Sequence, residues 1–185
     1  PLMTLACTLF GVLYVAFFMN YIVKILLEWE TPGWLDPVGR TGRIYAVFLV
    51  VVVKVTDIGA FFVGRSFGRH KMFPRISPAK SWEGLAGGLA AGLAVGLFLY
   101  GLFRIPIDGG WRFGSIPMTF FQAGVISVCL AGVGVLGDLV ESLLKRATSA
   151  KDSGTSIPGM GGVLDVLDSL LLGAPCLYYC LRILS

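Results

Sequence analysis

The sequence predicts an all-α, polytopic membrane bundle of about five transmembrane helices, in a single integral-membrane domain covering residues 1–185. Three observations carry this. The 185 residues are 56% hydrophobic and 14% charged, with a mean hydropathy of +0.81, whereas soluble chains are roughly a quarter charged. Apolar runs near the ~20 residues needed to cross hydrocarbon recur along the whole chain. No repeat, low-complexity tract or separate polar domain interrupts them. The chain starts at Pro1 inside an apolar run and is expected to be the C-terminal part of a longer protein.

The first span is Leu2 to Leu27, with Asn20 and Lys24 near its end. Glu28 to Arg43 is a polar connection holding Pro32, Gly33 and Pro37. The second span, Ile44 to Val63, is unusual because Lys54 and Asp57 lie inside it. Gly64 to Ser81 is a basic loop. The third span, Trp82 to Phe103, has glycine at 84, 88, 92 and 96, a four-residue recurrence that permits close helix packing. Arg104 to Ser115 connects to a fourth span, Ile116 to about Leu144, whose last two turns become polar. A loop, Lys145 to Gly162, leads to the fifth span, Val163 to Leu184, with Asp165 and Asp168 at its start and Pro175 inside.

The net charge is +4. In a membrane chain that excess is topological or lipid-directed, and no aromatic-basic RNA motif or zinc finger is present, so no nucleic-acid partner is expected. Arg65, Arg69, Lys71, Arg75 and Lys80 fall in the loop 64–81, which has no acid; Lys145, Arg146 and Lys151 face only Asp152 in the loop 145–162. Five spans put both loops on one side, and the positive-inside rule makes that side cytoplasmic. Cys7, Cys129, Cys176 and Cys180 lie in apolar runs without a CxxC pair and read as packing residues.

The polarity concentrates from Asp138 to Ser169. Asp138, Glu141, Ser142 and Lys145, spaced 0, 3, 4 and 7, share one face of the fourth span. Asp165, Asp168 and Ser169 share a face at the start of the fifth. A short loop joins these helices, so Asp138 and Asp165 are expected to approach each other. Two carboxylates in low dielectric repel unless a cation sits between them, and hard oxygen donors favour magnesium. For Asp168 a first-turn, dipole-favouring role is the plain alternative. Gly154, Gly159, Gly161 and Gly162 with Lys145, Arg146 and Lys151 suit a polyphosphate, although no P-loop motif occurs. Lys54 and Asp57, one turn apart, suit either an intramembrane ion pair or a functional role. Ser77-Pro78 reads as a turn, Ser81 as the cap of the next helix, Trp82 as an interfacial anchor and His70 as solvated surface.

Four elements then fall into one pattern. Thr56-Asp-Ile-Gly-Ala-Phe-Phe-Val-Gly-Arg65, Ser77-Pro-Ala-Lys-Ser-Trp-Glu-Gly84, Gly137-Asp-Leu-Val-Glu-Ser142, and the run from Ser142 through Lys145-Arg146, Lys151-Asp152 and Pro158-Gly-Met-Gly-Gly to Asp165 and Asp168-Ser169 resemble, in order, the motifs of phosphatidate cytidylyltransferases, the CDP-diglyceride synthases. Three positions depart from that pattern: Met160 stands for His, Val166 for Arg and Ala79 for Lys.

The resemblance implies an enzyme that joins CTP and phosphatidic acid to give CDP-diacylglycerol and pyrophosphate in phospholipid biosynthesis. It implies magnesium at a paired centre on Asp138 and Asp165, with room for a monovalent cation such as K+. Asp138, Lys145 and Asp165 are then the expected catalytic residues. Asp57, Ser77, Lys80, Ser142, Arg146, Lys151, Asp152 and Asp168 are the expected substrate contacts. Membrane lipids are the expected surroundings, a homodimer is allowed, and the setting is a bacterial-type inner or plasma membrane with the site facing the cytoplasm. Two rivals are a CTP-dependent polyprenol or phytol kinase and a non-catalytic membrane protein that binds anionic lipid.

Overall fold

The computed structural model describes residues 2–29, 41–74, 77–104, 106–107, 111–112, 118–147 and 163–184. Five long helices dominate: α1 (Leu2–Glu28), α2 (Thr41–Phe67), α3 (Trp82–Arg104), α4 (Phe120–Ala147) and α5 (Val163–Leu184). All five are long and apolar enough to cross a membrane. The predicted all-α membrane bundle is therefore the observed one, with two small additions. Strands β1 (Lys71–Phe73) and β2 (Ser77–Ser81) pair antiparallel with an irregular register, and β3 (Pro106–Ile107) pairs with β4 (Trp111–Arg112). The stretch 64–81 is thus not a plain loop. Its first residues extend α2, and the rest folds into a hairpin.

Helix boundaries shift for local reasons. The fourth span starts at Phe120 rather than Ile116 because Thr119 and Gln122 form a reciprocal capping box. The Thr119 N–H donates to Gln122 Oε1 at 2.7 Å, and the Gln122 N–H donates to Thr119 Oγ1 at 3.3 Å. Ser81 caps α3 as expected, accepting the Gly84 N–H at 3.1 Å. α5 runs on through Pro175.

α2 is central and touches the other four helices. Its buried face, with Tyr45, Phe48, Leu49, Val52 and Val53, joins Ile126 and Leu130 of α4 and Leu170, Ala174 and Leu177 of α5 in one core. The glycine face of α3 does what its spacing suggests. A Cβ at Gly88 would meet Thr56 O at 2.9 Å and Ala60 Cβ at 3.0 Å, and one at Gly96 would collide with Ser127 on α4. The buried hydroxyls in this packing are satisfied within their own helices: Thr56 donates to Val52 O at 2.8 Å and Ser127 to Ala123 O at 2.7 Å.

One end of the bundle is braced by aromatic and charged groups. The Tyr178 hydroxyl donates to Glu28 at 3.0 Å, Arg182 lies 3.2 Å from the same carboxylate, and Lys24 Nζ sits 5.2 Å from the Tyr21 ring centroid and 5.5 Å from that of Tyr178. Tyr21 and Tyr179 share a hydroxyl hydrogen bond of 3.0 Å. These contacts fasten α1 to α5 at positions about 15–21 Å along α5 from Asp168.

Candidate active site

At the other end, three segments far apart in sequence converge on a cavity of about 190 Å³. α2 contributes Asp57, the hairpin contributes Lys80, and α4 contributes Asp138. Helical phase explains α2's contribution. Asp57, Ala60 and Phe61 are spaced i, i+3, i+4, so they present one face to the cavity. On β2, Ala79, Lys80 and Ser81 all border the cavity.

Lys80 is held from two sides. Its Nζ donates to Asp138 Oδ2 at 3.1 Å and to the backbone carbonyl of Val135 at 3.0 Å. The pair is about three-quarters buried, with side-chain exposures of 21% and 25%. The hairpin is itself pinned to α3. The His70 ring lies 2.6 Å from Glu83 Oε1, the His70 N–H donates to both Glu83 oxygens at 3.2 Å, and the Trp82 N–H donates to His70 O at 3.0 Å. His70 stays exposed, as the sequence suggested, but it is tied to Glu83 rather than merely solvated.

A second chain of contacts reaches α5. Lys54 Nζ donates to Ser169 Oγ at 3.1 Å, and Ser169 Oγ donates to Asp57 Oδ2 at 3.1 Å. Lys54 also lies 3.5 Å from Asp57 Oδ2 directly. The intramembrane ion pair and the cavity role are therefore both present. The Ser169 N–H donates to Asp168 Oδ1 at 2.6 Å, which places Asp168, 9% exposed, beside the same network. Asp57 Oδ1 is buried and, among the described residues, has no hydrogen-bond partner.

The close approach of α4 and α5 behind the site depends on Gly137. A Cβ there would lie 2.6 Å from Asp168 O and 2.9 Å from Ser169 Cα. Glu141, one turn after Asp138, is buried and pairs with Lys145 at 3.0 Å.

The expected residues divide as follows. The structure brings Asp57, Lys80 and Asp138 together, with Asp168 adjoining through Ser169. Ser77, at the far end of β2, Ser142, Lys145 and Arg146, on the last turns of α4, are described but do not line this cavity. Asp165 is in the first turn of α5, and its side chain lies outside the described residues. Lys151, Asp152 and Met160 lie outside the described residues as well. Sequence reasoning missed the Val135 carbonyl, which no residue type signals, and the bridging role of Ser169. It also left unassigned the cavity's apolar lining of Phe61, Met72 and Leu85.

The donor set is hard: carboxylate oxygens, a hydroxyl and a carbonyl. Among the described residues no three of His, Cys, Asp and Glu converge on one point. Magnesium, however, is commonly held by one or two carboxylates plus substrate phosphates. The partnerless buried oxygen of Asp57 is the kind of lone pair that a cation completes. The residues fit magnesium.

The sequence model of the Cytidylyltransferase family matches residues 1–184. The chain is 38% identical over 173 residues to the phosphatidate cytidylyltransferase of Bacillus subtilis (strain 168), covering 94% of this chain and 56% of that protein. It is 38% identical over 162 residues to the phosphatidate cytidylyltransferase of Haemophilus influenzae, covering 88% and 52%. With the phosphatidate cytidylyltransferase of Brucella suis biovar 1 it shares 46% identity over 132 residues, covering 71% and 44%. The chain spans about half the length of these curated relatives. Helical membrane architecture, the converging acids and lysine, and a match over almost every residue agree: the chain belongs to the cytidylyltransferase family.

Proposed function

We propose that this chain carries the site at which a cytidylyl group passes from CTP to phosphatidic acid, giving CDP-diacylglycerol and pyrophosphate. One observation carries the reading: Asp57, Lys80 and Asp138 meet in one cavity of a membrane bundle that belongs to this family. A phosphate oxygen of phosphatidic acid attacks the α-phosphorus of CTP. The bond to the β-phosphate bridging oxygen breaks, and its electron pair leaves on pyrophosphate. No covalent enzyme intermediate is needed, so the protein's work is alignment and charge neutralisation.

Lys80, anchored at the Val135 carbonyl, holds its ammonium at the cavity wall, where it meets substrate phosphate. Ser169 and Lys54 fix Asp57 through Oδ2. Asp138 and Asp165 would hold magnesium, with Asp57 as a further oxygen donor and room beside it for a monovalent cation such as K+. When bound, the metal would supply charge neutralisation for the phosphates and for the leaving pyrophosphate. Lys145, Arg146 and Lys151 hold nucleotide phosphates, and Ser77, Ser142, Asp152 and Asp168 are further substrate contacts. The two basic stretches support a cytoplasmic orientation, the side on which CTP is available.

The test is transfer from α-labelled CTP by the purified full-length protein with magnesium and phosphatidic acid. Label in lipid with pyrophosphate released is the expected result. Label confined to soluble CDP would instead identify a lipid kinase. Binding of phosphatidic acid without pyrophosphate release would leave a non-catalytic lipid-binding protein.

A further inference from the structure

The β1–β2 hairpin has two faces, and only one belongs to the cavity. Between the pairs Lys71–Ser81 and Phe73–Ser77, β1 advances two residues while β2 advances four. The surplus sits on β2, so β1 keeps the regular alternation of a strand. Met72 lines the cavity; its neighbours Lys71 and Phe73 are exposed and do not. β1 therefore turns a cation and an aromatic ring away from the cavity.

The surroundings of that outer face share its character. Phe67, the last residue of α2, is 69% exposed, and Trp82, the first of α3, is 57% exposed. Both stand where a span ends, the level at which aromatic side chains meet lipid headgroups. The bond from the Trp82 N–H to the His70 carbonyl keeps these two ends together. Arg69 and Lys71 flank His70, and both are exposed. Among the described residues neither cation pairs with an acid, and Glu83, in the first turn of α3, is engaged by His70.

Charge and apolar rings together select the partner. Rings exposed on a soluble docking face would cost hydration, but here the bilayer entered by α2 and α3 covers them. A cation beside them meets headgroup phosphate, each Lys or Arg near an anionic surface favouring that contact about fivefold. A free polyanion would gain from the cations and nothing from Phe67, Phe73 and Trp82.

We propose that the outer face of the hairpin, with Arg69, Lys71 and Phe73 between Phe67 and Trp82, is a docking surface for anionic phospholipid in the leaflet at this end of the bundle. Its ligand is a phosphodiester lipid such as phosphatidylglycerol, not the lipid that reacts. The docked lipid holds the hairpin against the membrane and, through the other face of the same hairpin, holds Lys80 in the cavity. Bilayer composition thereby sets the order of the site. The effect on cytidylyl transfer rests on the reading under Proposed function; the docking does not.

Hydrogen exchange of the full-length protein in nanodiscs tests the docking without turnover. Replacing half of the phosphatidylcholine by phosphatidylglycerol is expected to slow exchange of the amides of residues 71–73 and of Trp82 about tenfold, and high salt should erase most of that slowing. Arg69→Gln/Lys71→Gln should exchange like wild type in pure phosphatidylcholine and lose the response to phosphatidylglycerol. The charge-keeping Arg69→Lys/Lys71→Arg should retain it. Equal exchange of wild type in the two bilayers, or a response that Arg69→Gln/Lys71→Gln keeps, would overturn the docking surface. So would equal slowing by inorganic pyrophosphate over pure phosphatidylcholine that the same double variant removes, which would assign the cations to a soluble polyanion. In kinetics, wild type should transfer about threefold faster in the mixed bilayer, and Arg69→Gln/Lys71→Gln at one rate in both. Lipid-dependent exchange with equal wild-type rates would overturn the link to Lys80. Absence of transfer in every bilayer would strike the proposed function and leave the exchange result readable.

Discussion

Lys80 and Asp138 lie 3.1 Å apart although 58 residues separate them in sequence. That contact closes a short hairpin against the end of α4 and makes it a wall of the cavity. Replacing Lys80 takes the cation from a carboxylate that is three-quarters buried, and replacing Asp138 leaves the Lys80 ammonium its bond to the Val135 carbonyl but not its counter-charge. Lys80→Ala and Asp138→Ala are each expected to destabilise the protein, and a double-mutant cycle should return a coupling of about 1–2 kcal/mol, below fully buried pairs because this one keeps some solvent. Denaturant unfolding in micelles measures it. Asp138→Asn should still insert but lose about a hundredfold or more in cytidylyl transfer.

The bridge from Lys54 through Ser169 to Asp57 predicts a subtler variant. Ser169→Ala removes one hydroxyl and two hydrogen bonds but no charge. A stability loss of about 1 kcal/mol is expected. Turnover at saturating CTP should fall about tenfold if Asp57 needs that hydroxyl to hold its orientation. Asp57→Asn should fall further, because it removes the charge itself.

Two glycines of α4 make a matched pair. Gly137→Ala forces a methyl against the Asp168 carbonyl, so α4 and α5 must separate at the site; about 1–3 kcal/mol of stability should be lost, with most of the activity. Among the described residues, nothing beyond its own stretch of helix lies within 4 Å of a Cβ at Gly132. Gly132→Ala should be neutral or stabilise by up to about 1 kcal/mol through helix propensity. Thermal unfolding of the two variants side by side distinguishes a packing effect from a general intolerance of α4.

Removal of divalent cations by a chelator should abolish transfer, and magnesium or manganese should restore it. A titration of activity against free magnesium in the Asp57→Asn protein should require more metal than wild type. An unchanged midpoint would remove Asp57 from the metal's surroundings.

The bundle was legible because long apolar runs leave few alternatives to spanning helices. The glycine spacing on α3 and the Ser81 cap were legible because each is a short pattern with one physical meaning. The hairpin at 71–81 was not, since strands of three and five residues are too short to show alternation. The start of α4 was missed although Thr119-x-x-Gln122 spells out its own cap. Asp57 and Asp138 could be singled out as costly charges within spans, but the sequence spaces them 81 apart and says nothing of a shared cavity. The contact of Lys80 with a backbone carbonyl has no sequence signature at all. Nor could any pattern reveal that Ser169 reaches Asp57 across 112 residues.

The separation of Lys80 from Asp138 also bears on how the protein is made. A chain still being synthesised can hold the hairpin with α1, α2 and α3 in the membrane while α4 is inside the ribosome. Spans enter in order, at about 5–20 residues per second. Until Asp138 arrives, Lys80 has no carboxylate and the cavity no fourth wall. Because Ser169 reaches Asp57 from α5, this network of contacts is complete only once α5 has followed α4.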